Sequence, residues 1–460
     1  MAAGEALNPF HLKLDRETIR EQYLLKGYAF LHVEDLVRTG SKGGVILVWN
    51  VTEGPLVSVD RLRFSGRITA DEGPLRQYLL TKENDRDPLF GVIPLGTNPF
   101  VERNLREDVE RIKLYYRLEG WMDIHHGERV FLKDLEYSDD KTLVTVTFHV
   151  DEGPRYRIRS VRFEIDAASR GIFPVEEMRA WLLSRTGDYY SENNANRDVS
   201  RIKERYGERA YIQAEVAHQE VLALNTAELD LVFSIKENDK IYIGQILFDG
   251  NNKTREEVLR REFTRTGFIP GEEYNQRSLN RAMQRIKDKT WVEQQGGIGV
   301  RTQETEEPQT RDVLIDVKEG QTGSVRFAAG YSSAYGLLGL LEFTQRNFDI
   351  ADVPGSVSEI FDGTGFAGGG QFFRIKLQPA VQRQTYRVDF REPYFFGHEF
   401  GFSTAAYVTN TSRESYDDER YGGEIRFDKR LEPWTFQIGF SAYNLTVDDV
   451  DARAPLGVKE

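Results

Sequence analysis

The chain has 460 residues, no cysteine, a formal net charge of −13 and 39% hydrophobic residues. That length calls for several domains, and the acidic balance argues against nucleic acid as a partner, because phosphate binding needs a basic face. Absence of cysteine excludes a disulfide framework and thiolate chemistry, and no apolar run reaches the roughly 18–20 residues of a transmembrane helix. Barrel strands escape that last test, since only alternate residues face lipid.

In chain order, Met1–Arg20 lacks the basic start and apolar stretch of a signal peptide, so a secreted reading supposes a processed or incomplete chain. A repeat then emerges. Arg-Ile-Lys recurs at Arg111–Lys113, Arg201–Lys203 and Arg285–Lys287. An aromatic follows the isoleucine at constant spacing, Ile112 to Trp121 and Ile202 to Tyr211, and an incomplete first copy keeps it from Ile19 to Tyr28. The fourth copy departs, with Trp291 close behind Ile286. Each unit closes on a second marker: Glu53-Gly54-Pro55, Glu152-Gly153-Pro154, Glu237-Asn238-Asp239 and Glu319-Gly320. Markers recurring in register define a repeat architecture. They divide the chain into a partial repeat at 1–55, repeats at 56–154, 155–239 and 240–320, and a different region at 321–460.

Within a unit the pattern predicts strand, helix, helix, strand, strand. Thr254 has capping-box spacing to Glu257 and predicts a helix to Arg265, ended by Gly267. A second helix is expected over Asn275–Lys289, with Leu279, Met283 and Ile286 on one face. Its counterpart carries Leu105, Val109, Ile112 and Tyr116. The second strand of each unit is expected at Ala29–Arg38, Met122–Phe131, Tyr211–Leu222 and Val292–Thr302, and Glu83–Pro99 reads as an inserted loop. A strand edge there can pair with an extended segment of another chain. Tyr211, Gln213, Glu215 and Val216 are the candidate edge-binding residues; the alternative is that the edges are ordinary and the repeats a spacer.

After Gly320 the helical period gives way to alternation. Val325, Phe327, Ala329 and Tyr331 alternate with Arg326, Ala328, Gly330 and Ser332, and the same period runs through Phe372–Gln378, Tyr386–Arg391 and Phe436–Ser441. About seven strands are expected before Glu460. Two readings fit: a soluble sandwich with one wet face, or an outer-membrane barrel with its apolar face in lipid. An aromatic cluster at Pro393-Tyr394-Phe395-Phe396 suits an interfacial girdle.

Other motifs carry less. His125-His126 with Asp123 and Glu128 is expected in a strand, where neighbours point to opposite faces, so no metal site is assigned. Gly363–Gly368 fits GxGxxG but neither follows a strand nor opens a helix, and Gly40-Ser41-Lys42-Gly43-Gly44 lacks P-loop spacing; both read as turns. No Ser/His/Asp arrangement is visible, and no cofactor is assigned.

The repeats resemble POTRA domains, and the whole chain resembles the BamA-type family of outer-membrane assembly factors. The resemblance rests on Gly330-Tyr331-Ser332-Ser333, Gln345-Arg346-Asn347-Phe348 and Glu392-Pro393-Tyr394-Phe395, placed in order behind the repeats. It implies an α+β fold of tandem POTRA repeats (βααββ) followed by the N-terminal part of an antiparallel transmembrane β-barrel. It implies, too, a non-enzymatic activity: folding and inserting other barrel proteins, from the bacterial outer membrane with the repeats in the periplasm. Partners would be unfolded outer-membrane proteins, periplasmic accessory lipoproteins or chaperones, and outer-membrane lipid; the last repeat, Lys240–Gly320, is expected to couple accessory proteins to the barrel because it abuts the barrel start. A translocating pore of the same superfamily, and a soluble arm ending in a sandwich, are the alternatives. By resemblance the client pairs with the first barrel strand, at Gly323, Ser324, Val325, Arg326, Phe327, Ala328, Ala329 and Gly330. The family's Arg-Gly-Phe/Tyr loop motif is missing, since Arg170-Gly171-Ile172 lies in a repeat, and so is the closing strand.

Overall fold

The computed structural model describes residues 7–40, 44–86, 94–333, 336–356, 358–359, 363–431 and 433–452. It divides into two compact units, Met1–Lys203 with Glu215–Glu237, and Glu204–Ala214 with Asn238–Glu460. No described helix is long and apolar enough to cross a membrane.

The first unit opens with α1 (Pro9–Leu24) and the antiparallel pair β1 (His32–Thr39) and β2 (Val45–Thr52). The second module follows as β3 (Ser58–Arg67), α2 (Glu72–Tyr78), α3 (Glu102–Leu118), β6 (Val130–Tyr137) and β7 (Leu143–Asp151). Two short paired strands, β4 (Asp85–Arg86) and β5 (Pro94–Gly96), lie within the insertion expected as loop at Glu83–Pro99, whose centre lies outside the described residues. The third module repeats the order: β8 (Arg157–Ile165), α4 (Val175–Trp181), α5 (Glu192–Gly207), β9 (Glu215–Leu222) and β10 (Glu228–Lys236). The fourth, in the second unit, comprises β11 (Tyr242–Asp249), α6 (Glu256–Thr266), α7 (Gln276–Lys287), β12 (Ile298–Glu304) and β13 (Thr310–Val317).

In each complete module the third strand is central. It pairs parallel to the first and antiparallel to the second, giving the orders β3-β7-β6, β8-β10-β9 and β11-β13-β12. Parallel neighbours need a crossover, and the two helices supply it. The second strand is therefore an edge. It starts later than its alternation suggests, however: Met122–His125 forms a 3₁₀ turn, and Tyr211 and Val292 precede β9 and β12. The aromatic after the helix ends the helix instead of opening the strand. Trp121 N donates to Tyr116 O and Tyr211 N to Tyr206 O, both at 3.0 Å, folding the chain back before it extends. His125 thus lies in a turn and not in the strand expected for it.

The core of the second module shows why the period-two pattern works. Val144, Val146, Phe148 and Val150 all point inward from β7 and meet Leu75 and Leu79 from the α2 side and Leu105, Ile112 and Tyr116 of α3. Each buried side chain of this size contributes roughly 1.5–3 kcal/mol. In the fourth module Leu279 and Ile286 of α7 pack with Leu259 and Phe263 of α6 over Val313 and Ile315. Tyr274 belongs to that core, and burial pushes its hydroxyl up to about 12. Below pH 10 this is silent. Between about pH 10 and 12 the unfolded chain gives up a proton that the folded one keeps, so stability falls as pH rises, by roughly 2–3 kcal/mol in total. Tyr274→Phe should flatten that part of an alkaline unfolding curve while leaving the midpoint at pH 7 nearly unchanged.

The repeat markers have structural jobs. In the second and third modules the arginine of Arg-Ile-Lys caps the preceding helix: Arg111 Nη1 donates to Tyr78 O at 3.2 Å and Arg201 Nη1 to Trp181 O at 3.0 Å, where cations favour the helix C-terminus. The closing glutamate clamps the loop between the first strand and first helix of its own module. Glu152 accepts from Thr69 N, Thr69 Oγ1 and Ala70 N at 2.8, 2.6 and 2.9 Å. Glu237 accepts from Arg170 N, Gly171 N and Ile172 N at 2.7, 3.0 and 2.9 Å. Glu319 accepts from Lys253 N and Thr254 N at 2.8 and 2.7 Å.

Consecutive modules share a joint. Val57 N donates to Gly27 O and Tyr156 N to Gly120 O, both at 2.9 Å, and in the second unit Ile241 N donates to Ala210 O at the same distance. The accepting residue has positive φ: 97° at Gly27, 100° at Gly120, 71° at Ala210. Alanine fits at 71°, inside the left-handed basin, but not near 100°. A side chain on Gly120 would also collide with the Tyr190 carbonyl. Gly120→Ala should therefore cost about 2 kcal/mol or more and expose the 152–156 joint to limited proteolysis.

The last region is a single seven-stranded antiparallel meander: β14 (Gly323–Ser332), β15 (Gly336–Phe348), β16 (Ala367–Gln378), β17 (Arg383–Glu392), β18 (Gly401–Ser412), β19 (Asp417–Leu431) and β20 (Trp434–Asp448). One face carries the cross-strand row Phe327, Leu341, Leu377, Tyr386, Val408 and Tyr421. The opposite face carries ion pairs: Arg374 with Asp389 at 2.8 Å, and Arg387 with Asp389 at 2.8 Å and Glu424 at 3.0 Å. No second sheet covers the apolar face among the described residues, and Phe327 and Phe440 are 75% and 66% exposed. That is the pattern of strands whose apolar face meets lipid.

Candidate functional site

β14 is the outermost strand of the meander and pairs on one side only, from Gly323 against Gln345 to Ser332 against Gly336. All of Gly323, Ser324, Val325, Arg326, Phe327, Ala328 and Ala329 are exposed, and Gly330 is half-buried. Its outer edge presents a row of backbone donors and acceptors without partners among the described residues, an arrangement that templates another strand. The pairing to β15 is weak in side chains: Ala329 faces Gly339 and Gly330 faces Leu338. Cross-strand pairs of larger residues add roughly 0.2–1 kcal/mol each, and here two positions lack them. Arg326 reaches Glu342 at 3.5 Å. The strand start is firmer, with Arg346 N donating to Thr322 O at 2.8 Å and Gln345 Nε2 to Thr322 Oγ1 at 3.2 Å.

The second candidate set is only half on its edge strand. Glu215 and Val216 open β9, where Lys236 Nζ donates to Glu215 at 3.1 Å and Val216 turns into the core. Tyr211 and Gln213 precede the strand: Tyr211 is buried with its ring 6.3 Å from that of Tyr206, and the Gln213 carbonyl accepts from Asn238 Nδ2 at 2.7 Å. The pattern of alternating residues runs through the turn, which misplaced them.

The motif Gln345-Arg346-Asn347-Phe348 joins the sheet to the fourth module. Asn347, buried and at positive φ, donates from Nδ2 to Thr254 Oγ1 at 2.8 Å and accepts from Gly370 N at 2.8 Å. Thr254 was expected to cap α6. Its hydroxyl serves the sheet instead, and Arg255 is the cap residue, with no side-chain cap bond. Arg255 N donates to Gly368 O at 3.0 Å, and any side chain on Gly368 would strike the Lys253 carbonyl. Arg255 pairs with Asp349 at 2.5 Å, Arg265 pairs with Glu399, and Arg261 lies 4.1 Å over the Tyr394 ring.

Two buried acids escaped the sequence reading. Asp108 accepts from Leu80 N and Thr81 N at 2.6 and 3.2 Å, and Asp198 from Leu183 N and Ser184 N at 2.6 and 2.9 Å. Their common spacing before the isoleucine of Arg-Ile-Lys was the available signal. In the fourth module Ala282 takes that place, and a different buried acid, Glu262, pairs with Arg285 and Lys289, both at 2.8 Å.

Comparison with known proteins agrees with this architecture. At 26% identity over 99% of its length, the chain is similar to the outer membrane protein assembly factor BamA of Neisseria meningitidis serogroup B, covering 54% of that protein. At 24% identity, again over 99% of the chain and 54% of the relative, it is similar to BamA of Nitratidesulfovibrio vulgaris. Residues 156–238 and 241–320 match the surface antigen variable number repeat, POTRA, and residues 366–457 match the Omp85 superfamily domain. The chain carries POTRA and Omp85 domains and is similar to BamA proteins over nearly its whole length. Its fold is that of POTRA modules followed by Omp85 barrel strands. A solved BamA from Haemophilus ducreyi lacking POTRA domains 1–3 has the same fold, with a TM-score of 0.51 and 18% identity, over 63% of this chain and 52% of that one. BamA-type proteins are outer-membrane proteins with periplasmic POTRA domains. The chain spans about half the length of the relatives it matches.

Proposed function

We propose that this chain takes part in outer-membrane protein assembly: it binds unfolded barrel proteins by strand addition and helps fold and insert them. The reading divides it into a partial POTRA module at 1–55, POTRA modules at 56–154, 155–239 and 240–320 in the periplasm, and barrel strands at 321–460. The observation that carries it is the one-sided pairing of β14 next to a sheet whose apolar face is uncovered. An unfolded barrel strand has unsatisfied N–H and C=O groups, which are expensive to bring into lipid. The edge of β14 satisfies them by hydrogen bonding alone, so the reaction is not enzymatic and uses no cofactor. Weak side-chain pairing at Ala329 and Gly330 lets the edge open and re-pair. Accessory lipoproteins or chaperones and the surrounding lipid complete the partner set, and the fourth module is the coupling point because it contacts the sheet.

The absence of cysteine makes a direct test clean. Single cysteines at Ser324 and Ala328 should form disulfides with cysteines in the terminal strand of a stalled client, at alternate client positions only. Cross-links that scatter along the client without register indicate a translocation path and overturn strand addition in favour of the pore.

A further inference from the structure

A cleft of about 530 Å³ lies between α6 and the turn ends of β16 and β17. Arg255 and Arg265 on its wall are neutralised by Asp349 and Glu399. Arg261 is not. It is half-buried, faces the Tyr394 ring, and its Nε has no acceptor among the described residues; the Tyr394 hydroxyl has none either. Burial pushes the guanidinium below the ordinary arginine value, yet arginine stays charged in proteins. A half-buried cation with an unfilled buried donor is costly and favours an anion nearby.

The same wall carries acids outside any ion pair. Glu257 and Glu392 make no ion pair among the described residues, and Glu392 is held only by Gln371 Nε2 and Tyr394 N, both at 2.8 Å. The cleft thus carries one positive and two negative groups, none in an ion pair among the described residues, although the Glu392 and Glu262 carboxylates partly offset the Arg261 charge. Its position adds the third clue. Gln371 continues the row of Phe373, Ile375 and Leu377, and Glu392 the row of Phe390, Val388 and Tyr386, because alternate residues share a face. Where those apolar rows meet lipid, the cleft opens one step below them, at the level of headgroups.

We propose that this cleft binds the headgroup of a phospholipid carrying both a phosphate and an amine, with the phosphate on Arg261 and the ammonium toward Glu392 and Glu257. A bound lipid would then brace the fourth module against the sheet. The inference rests on the outer-membrane reading above.

The test uses the full-length protein purified from outer membranes in mild detergent, with native mass spectrometry of retained lipid. Phosphatidylethanolamine, phosphatidylglycerol of the same chains, and inorganic phosphate are added in separate arms. One phosphatidylethanolamine should stay bound to the wild type and fall roughly tenfold with Arg261→Gln. Arg281→Gln, at an exposed α7 position away from the cleft, should change nothing, and Arg261→Lys should restore part of the binding. Heat-modifiable gel mobility checks folding, and Glu392→Gln replaces Arg261→Gln if that variant misfolds. Wild-type retention in these variants overturns the site. So does equal occupancy by phosphatidylglycerol or by inorganic phosphate alone, since neither carries the amine. Recovery of the protein in the soluble fraction would instead defeat the membrane reading itself.

Discussion

Proline at Ala328 and proline at Ala329 are expected to do different damage. In an antiparallel strand successive N–H groups point to opposite edges, so one of these prolines removes a donor from the β14–β15 ladder and the other removes one from the free edge. The first should weaken the sheet by about 3 kcal/mol and appear as loss of heat-modifiable mobility. The second should leave the sheet folded, because proline is tolerated on an edge. Yet it deprives an incoming strand of one hydrogen bond and places a ring in its path. Client insertion measured in reconstituted vesicles should then fall by roughly tenfold or more, since 1.4 kcal/mol is already tenfold. Normal insertion by both variants, with the sheet intact, would remove β14 from the mechanism.

Glu237→Ala should be the most destabilising single change among the module markers. Its carboxylate is fully buried and serves three backbone N–H groups at 2.7–3.0 Å. Hydrogen bonds to a charged group contribute about 1.5–3 kcal/mol each, and the three donors are left without acceptors in the variant. A loss on the order of 4 kcal/mol is expected, seen as a lower urea midpoint at unchanged slope. Glu319→Ala removes two such bonds and should cost less. Its distinctive effect lies elsewhere: it frees the Lys253–Arg255 segment that meets Asn347 and Gly368, so it should loosen the fourth module from the sheet. Limited proteolysis between residues 317 and 323 would register that loosening; equal protection of the two variants would argue against it.

Much of this architecture was legible in the residues alone. Helical spacing placed Leu105, Ile112 and Tyr116 on one buried face, and alternation over Val325–Ser332 marked β14, which begins at Gly323. Both periods are local, set by 3.6 residues per turn and by the pleat, so a single sequence carries them. The repeat was visible because the same spacings must serve the same caps and clamps in every module. Strand starts were less legible: Tyr211 and Gln213 alternate with their neighbours but sit in the turn that the helix end imposes.

The sequence by itself determined the module order, the change from modules to alternating strands, the helix faces and the first of those strands, because each follows from period and spacing. Only the tertiary structure decided which strand is central, what the marker glutamates hold, why Thr254 turns to Asn347 instead of capping α6, and that Arg261 faces an open cleft. Those depend on partners distant in the chain, and the hydrogen-bond demand of a buried polar group names its need for a partner without naming the partner.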